Sequence, residues 1–147
     1  MTADLTTFPP DHPSVKFGKV GVLLVNLGTP DGTDYASMRR YLREFLTDRR
    51  VIEWSRWKWY PILFGIVLNT RPQKVGKAYE TIWNKKDNEG PLKTITRSQA
   101  EAIGRDLARL HGDRVVVDWA MRYGKPEVRE RLAALLAEGC DRILLVP

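Results

Sequence analysis

VGVLLVNLGTPD, residues Val20 to Asp31, opens with five apolar residues, Gly21 aside, that run without polar alternation to Val25. An unalternating apolar run is the pattern of a strand buried on both faces of a parallel sheet. It reads as a first, central strand. Asn26 to Gly32 is then a loop rich in turn residues, leaving the carboxyl end of the strand, where open α/β sheets gather ligands. The first binding surface is therefore expected at Leu27 and Gly28.

Downstream, Asp34 to Leu46 has helical spacing, with Met38, Tyr41, Leu42 and Phe45 forming one apolar stripe. Thr33 or Asp34 is the expected cap. Arg71-Pro72 is read as the start of a second helix, because proline suits the first helical position, with Val75, Ala78, Tyr79 and Ile82 as its stripe and an end near Trp83. Thr96 to Gln99 has the form of a capping box. The helix it opens is expected to bury Ile103, Leu107 and Leu110 and to stop at His111-Gly112. Val115 to Met121 is a second strand, Pro126 starts a helix that turns Val128, Leu132, Leu135 and Leu136 inward, and Ile143 to Val146 begins a third strand. This alternation predicts an α/β fold with an open parallel sheet, Rossmann-like, after a polar tail over 1–19 that holds Pro9, Pro10, Pro13 and an idle His12. A sheet ending at Ile143 to Val146 is expected to leave an apolar edge or face uncovered.

At 147 residues the chain is the size of one domain, and no stretch approaches the roughly 20 apolar residues that span a bilayer. The N-terminal segment has no apolar signal region, and a lone Cys140 forms no internal disulfide, which points to the cytoplasm. Charge is uneven. Between Arg39 and Lys77 ten Lys/Arg face three acids, so this segment carries +7 against +6 for the whole chain, and the rest is close to neutral. Such a patch suits nucleic acid, anionic lipid or an anionic small molecule, and is equally read as a solvated face.

Within that segment lies EWSRWKWYPILFGIVL, residues Glu53 to Leu68. Trp54, Trp57, Trp59 and Tyr60 mix with Arg56 and Lys58 ahead of an apolar run broken by Pro61 and Gly65. Aromatic rings among basic side chains suit a lipid headgroup layer, and a run this short would dip into a membrane rather than cross it. The competing reading is a helix buried against the domain or a subunit contact.

Chemistry read from residues alone stops early. His12, His111 and Cys140 lack metal-ligand spacing, and no Walker loop or G-x-G-x-x-G follows the first strand. What remains is an α/β domain that binds an anionic ligand at its strand ends.

VGVLLVNLGTPD, YLREFLTDRRVIE, LNTRPQKVGKAYETIW, EGPLKTITRSQ and AMRYGKPEV, in this order and at these spacings, resemble the N-terminal part of the ferrochelatases, which insert ferrous iron into protoporphyrin IX to make haem. Each motif is weak alone, and five in order are specific. The resemblance implies two similar Rossmann-like halves with the porphyrin in the cleft, residues 20–147 supplying the first, chelatase-like half and the second half being absent. No catalytic or metal residue is then expected in this chain, nor any bound cofactor. The ligands of iron, a substrate, would lie beyond Pro147, and the 147-residue piece alone is expected to be inactive.

Residue by residue, the resemblance implies that Leu27 touches the macrocycle face, where leucine packs but cannot coordinate iron. Arg71 matches an arginine that meets a propionate, Tyr79 a tyrosine nearby, and Arg122-Tyr123 a pair at the pocket wall. At the expected start of a helix, Arg71 would be joined by unpaired N–H groups in holding that carboxylate. Gly90 stands where the family's S-P-L motif has serine, so a hydroxyl is lost there, and restoring it is expected to be neutral or helpful. Trp54, Trp57, Trp59, Tyr60 and Phe64 match an apolar lip over the pocket mouth, which implies peripheral membrane contact in a cytoplasmic protein, and no nucleic acid partner. Two other classes fit the bare residues: a nucleotide- or flavin-binding doubly wound domain, for which NLGTPDG is a poor phosphate loop, and a non-catalytic porphyrin- or membrane-docking unit.

Overall fold

In the computed structural model, residues 18–147 are described. His12 and the prolines of the N-terminal segment lie outside them. Three parallel strands, β1 (Lys19–Gly28), β2 (Val115–Tyr123) and β3 (Cys140–Val146), form a sheet ordered β2-β1-β3. The fold is α/β with β1 at the centre, as the apolar run predicts. Val22, Leu23 and Leu24 are buried in consecutive positions, which requires cover on both faces. The strand starts earlier than its apolar run, because Lys19 pairs with Cys140 and its Nζ reaches the Glu138 carbonyl at 3.2 Å. Lys19 is thus sheet and not tail.

The two faces are covered by the helices of two crossovers. Helix α4 (Pro91–His111), the last helix of the long β1–β2 connection, packs Ala100 and Leu107 on Val22, Leu24, Val117 and Trp119. Helix α5 (Val128–Ala137) joins β2 to β3 and packs Leu132 and Leu135 on Leu23 and Ala120. Among the described residues nothing covers β3 fully: Leu144 and Leu145, on opposite faces, are each about half exposed.

Several boundaries differ from the sequence reading, each for an identifiable reason. Helix α4 begins at Pro91, where proline suits the first turn, and Thr96 lies inside it, donating to the Leu92 carbonyl at 2.7 Å. Thr96 is therefore no cap; Leu110 is exposed, and Ile103 lines an open cleft beside Leu24, Val25 and Val146 instead of being buried. The end at His111, before Gly112, is as expected. Helix α5 starts at Val128 rather than Pro126, because Pro126 uses its carbonyl to accept from Met121 N at 2.8 Å, and Leu136 faces outward.

Helix α1 (Tyr35–Thr47) matches its predicted stripe, with Met38 and Tyr41 buried and Asp34 Oδ1 accepting from Ala36 N and Ser37 N at 2.9 and 3.0 Å. The larger departure follows it. Helix α2 (Arg56–Ile62), one π-helical turn (Leu63–Val67) and helix α3 (Leu68–Glu80) run on without a break. Pro72 sits inside α3, and Arg71 is not at a helix start. Side chains reach the carbonyls of the wide turn. Asn69 Nδ2 donates to the Phe64 and Gly65 carbonyls at 3.0 and 2.9 Å, and Thr70 Oγ1 to Ile66 O at 2.9 Å. Helix α3 ends at Glu80, three residues short of Trp83.

Candidate functional site at the strand ends

The order β2-β1-β3 makes β1 the strand from which connections leave in opposite directions, and ligands of open α/β sheets bind outside the carboxyl ends of strands at such a point. Three successive buried residues of β1 are followed, at its carboxyl end, by Leu27, which is 52% exposed. A large apolar side chain is thus presented to solvent at the strand ends. Gly28 follows with φ of 120°, and a Cβ on it would run into the Tyr123 carbonyl oxygen, so only glycine allows β1 and β2 to end this close together.

Register places Gly28 beside Tyr123, which brings Arg122 and Tyr123 to the same end of the sheet. The Tyr123 ring meets Phe45 edge-on at 5.2 Å, and Phe45 stacks on Tyr41 at 6.2 Å. Tyr41 donates to the Gly28 carbonyl at 3.3 Å. Burial pushes the Tyr41 phenol far above its ordinary range, and the adjacent Tyr79 pushes it further. Tyr79, carried by α3, therefore joins the same cluster. Gly90 is buried against Thr29, whose hydroxyl oxygen fills the space a Cβ at 90 would need and itself has no hydrogen-bond partner among the described residues.

Arg122 does not stand free. Its Nη2 donates to Asp48 Oδ2 at 2.7 Å and its Nε to the Tyr123 hydroxyl at 3.3 Å, while Tyr123 donates to the same Asp48 oxygen at 2.9 Å. Asp48 Oδ1 also accepts from Arg50 N at 2.8 Å. A bay of about 520 Å³ opens here, with Arg49, Arg50 and Arg56 on its walls. Asp48 and Tyr41 were not among the residues expected from sequence. Asp48 did carry a signal: a carboxylate closing a helix opposes the helix dipole, and so marks a partner elsewhere. Arg71 is exposed on α3, away from any helix start, and forms no hydrogen bond or ion pair among the described residues.

The lip residues divide. Trp57 is 91% exposed, and Trp54 and Phe64 are also exposed. Trp57, Tyr60, Pro61 and Phe64 line a groove of about 590 Å³ that shares Arg56 with the charged bay. Trp59 is instead a pin, half-buried, its Nε1 donating to Leu46 O at 2.8 Å and its ring meeting Trp54 edge-on. No helix among the described residues is long and apolar enough to cross a membrane. Among them, no group of three or more His, Cys, Asp and Glu comes together as metal ligands would.

The family model for ferrochelatase matches residues 19–147. The chain belongs to the ferrochelatase family. It is 73% identical over all 147 residues to a ferrochelatase of Rhizobium johnstonii and 72% identical to one of Rhizobium etli, covering 42% of each of those proteins. A ferrochelatase of Brucella ovis is 59% identical over 142 residues, 97% of this chain and 40% of that protein. The chain thus spans well under half the length of these relatives. Of the residues that the resemblance singled out, Leu27, Tyr79, Arg122 and Tyr123 lie at the strand ends, whereas Arg71 is exposed on α3.

Proposed function

We propose that this chain forms the porphyrin-gripping half of a ferrochelatase, a lyase that inserts ferrous iron into protoporphyrin IX to yield haem. The observation that carries the reading is Leu27, half exposed at the carboxyl end of a central, otherwise buried strand, with Arg122 and Tyr123 in register beside it. Protoporphyrin is a flat apolar ring with two carboxylates, and an apolar face bordered by guanidinium groups suits it. Arg122, Tyr79 and Tyr123 form the wall, and Arg71, exposed on α3, reaches a propionate by its guanidinium alone. Metal insertion requires bending the ring so that the pyrrole nitrogens can shed protons and accept iron, and binding energy from remote contacts can drive that distortion. This half supplies grip and shape. The exposed Trp57 and Phe64 beside Arg56 and Lys58 support peripheral docking on a membrane surface, from which an apolar porphyrin can be taken.

The test uses a full-length form made by joining residues 1–147 to the part of the Rhizobium johnstonii relative that they do not cover. Arg71→Ala should weaken protoporphyrin binding about tenfold, roughly 1.4 kcal/mol. Porphyrin dimethyl ester should bind native protein weakly and show little difference between native and Arg71→Ala forms. Equal discrimination against the ester by both forms would remove Arg71 from the propionate site. No porphyrin binding by the native form would end the reading as a whole.

A further inference from the structure

Helix α1 closes on two carboxylates four residues apart, Glu44 and Asp48, with no basic residue in its last turn. Negative charge at a helix C-terminus is unfavourable, because the unpaired carbonyls there already carry partial negative charge. Something outside the helix must offset it, and the contacts show what. Asp48 takes Arg122 at 2.7 Å and Tyr123 at 2.9 Å, while Glu44 Oε2 accepts from Gly124 N at 3.2 Å. Three consecutive residues at the end of β2 are therefore gripped by the last turn and cap of α1, across more than 70 residues of sequence. The Arg122 guanidinium carbon also lies 5.4 Å from the Tyr123 ring centre.

We infer that Asp48, assisted by Glu44, is a positioning residue that holds the Arg122 guanidinium and the Tyr123 ring in the orientation in which they meet an anionic ligand. The inference rests on the reading of Arg122 and Tyr123 as porphyrin contacts. An unrestrained arginine side chain has many rotamers, and fixing it before the ligand arrives removes that cost from binding. Asp48 occupies Nη2, and no contact among the described residues uses Nη1, so one edge of the guanidinium remains for a ligand carboxylate. Asp48 is only 16% exposed and is held by the Arg50 amide as well, so it is itself fixed.

The experiment uses the full-length form with ¹⁵N-labelled arginine, the Arg122 Nε–H signal being assigned by its loss in Arg122→Lys. In native protein that signal should be sharp and slow to exchange, and in Asp48→Asn it should broaden or vanish, with Asp48→Glu restoring part of it. Protoporphyrin affinity should fall about tenfold in Asp48→Asn, and Asp48→Asn should add nothing once Arg122 is replaced by alanine. Survival of the Arg122 signal in Asp48→Asn, or native porphyrin affinity in that variant, overturns the inference. If Arg122→Ala binds porphyrin as tightly as native protein, the fault lies with Arg122 as a porphyrin contact. The arginine spectrum, which needs no porphyrin, distinguishes the two failures.

Discussion

The Tyr35 hydroxyl donates a 3.2 Å hydrogen bond to the carbonyl oxygen of Leu68. Leu68 is the residue four before Pro72, so this carbonyl has lost the helical N–H that would have met it. A side chain from the first turn of α1 thus fills a gap made by a proline in α3 and lets the helix run through. Tyr35→Phe should lower stability by about 0.5–1 kcal/mol, the usual worth of one neutral hydrogen bond. In a Pro72→Ala background the loss should shrink, because alanine brings to that position a backbone N–H that serves the same carbonyl. Urea denaturation of the four variants of this cycle, in the full-length form, measures it; an undiminished loss would show the bond to be unrelated to the proline.

Leu23 is fully buried in the centre of β1 against Ala120, Leu135 and Cys140. Leu23→Ala should cost about 2.5–5 kcal/mol, as other buried leucines do when a cavity is left behind. Thermal denaturation should show a fall of several degrees. A change below about 1 kcal/mol would mean that the neighbours collapse into the space.

Sequence reasoning expects Gly90→Ser to be neutral or to improve porphyrin binding, because the family motif has serine there. The structure adds a packing cost to that substitution. A Cβ at 90 would overlap the Thr29 hydroxyl oxygen and lie 3.2 Å from Thr29 Cβ, both in a buried setting. Gly90→Ser should therefore destabilise by about 1–3 kcal/mol, the range for overpacking, and Thr29→Ala should recover part of that. Calorimetry of the single and double variants checks it, and a Gly90→Ser protein as stable as native would show that Thr29 can turn away.

Asp48 is held down to about 2 from an ordinary 3.8, first by the Arg50 amide and then by the side chains of Arg122 and Tyr123. A carboxyl depressed in the folded state binds its proton more readily when unfolded. Its contribution is therefore complete above about pH 4 and is lost as the pH falls toward 2. The native form should lose stability over that window by more than Asp48→Asn does. Parallel acid titrations followed by circular dichroism would separate the two curves, and coincident curves would refute the assignment.

For the lip, Trp57→Ser with Phe64→Ser should reduce flotation with vesicles containing anionic lipid at low salt, and raised salt should weaken native binding too. Trp59→Ser should instead lower stability, because it removes the bond to Leu46 O. Unchanged flotation after loss of both Trp57 and Phe64 would leave α2 as a contact surface for protein.

Local sequence determined the elements whose signal is periodic and self-contained. The unalternating Val20 to Val25 run announced a central strand, and the stripe of α1 and the stop at Gly112 were equally readable, since burial pattern and backbone freedom act within a few residues. Sequence puts Leu27 in the loop after the strand, whereas β1 runs through it to Gly28, because pairing with β2 carries the strand past its apolar run. The joined α2 and α3 could not be read locally: proline ordinarily marks a boundary, and only Tyr35, Asn69 and Thr70 supplying bonds made continuity possible. Nor could the Asp48 grip on Arg122, whose partners are 74 residues apart. Charge in a sequence says that a side chain needs a partner or water, and only the register of β1 with β2, and the seating of α1 beside them, decides which it finds.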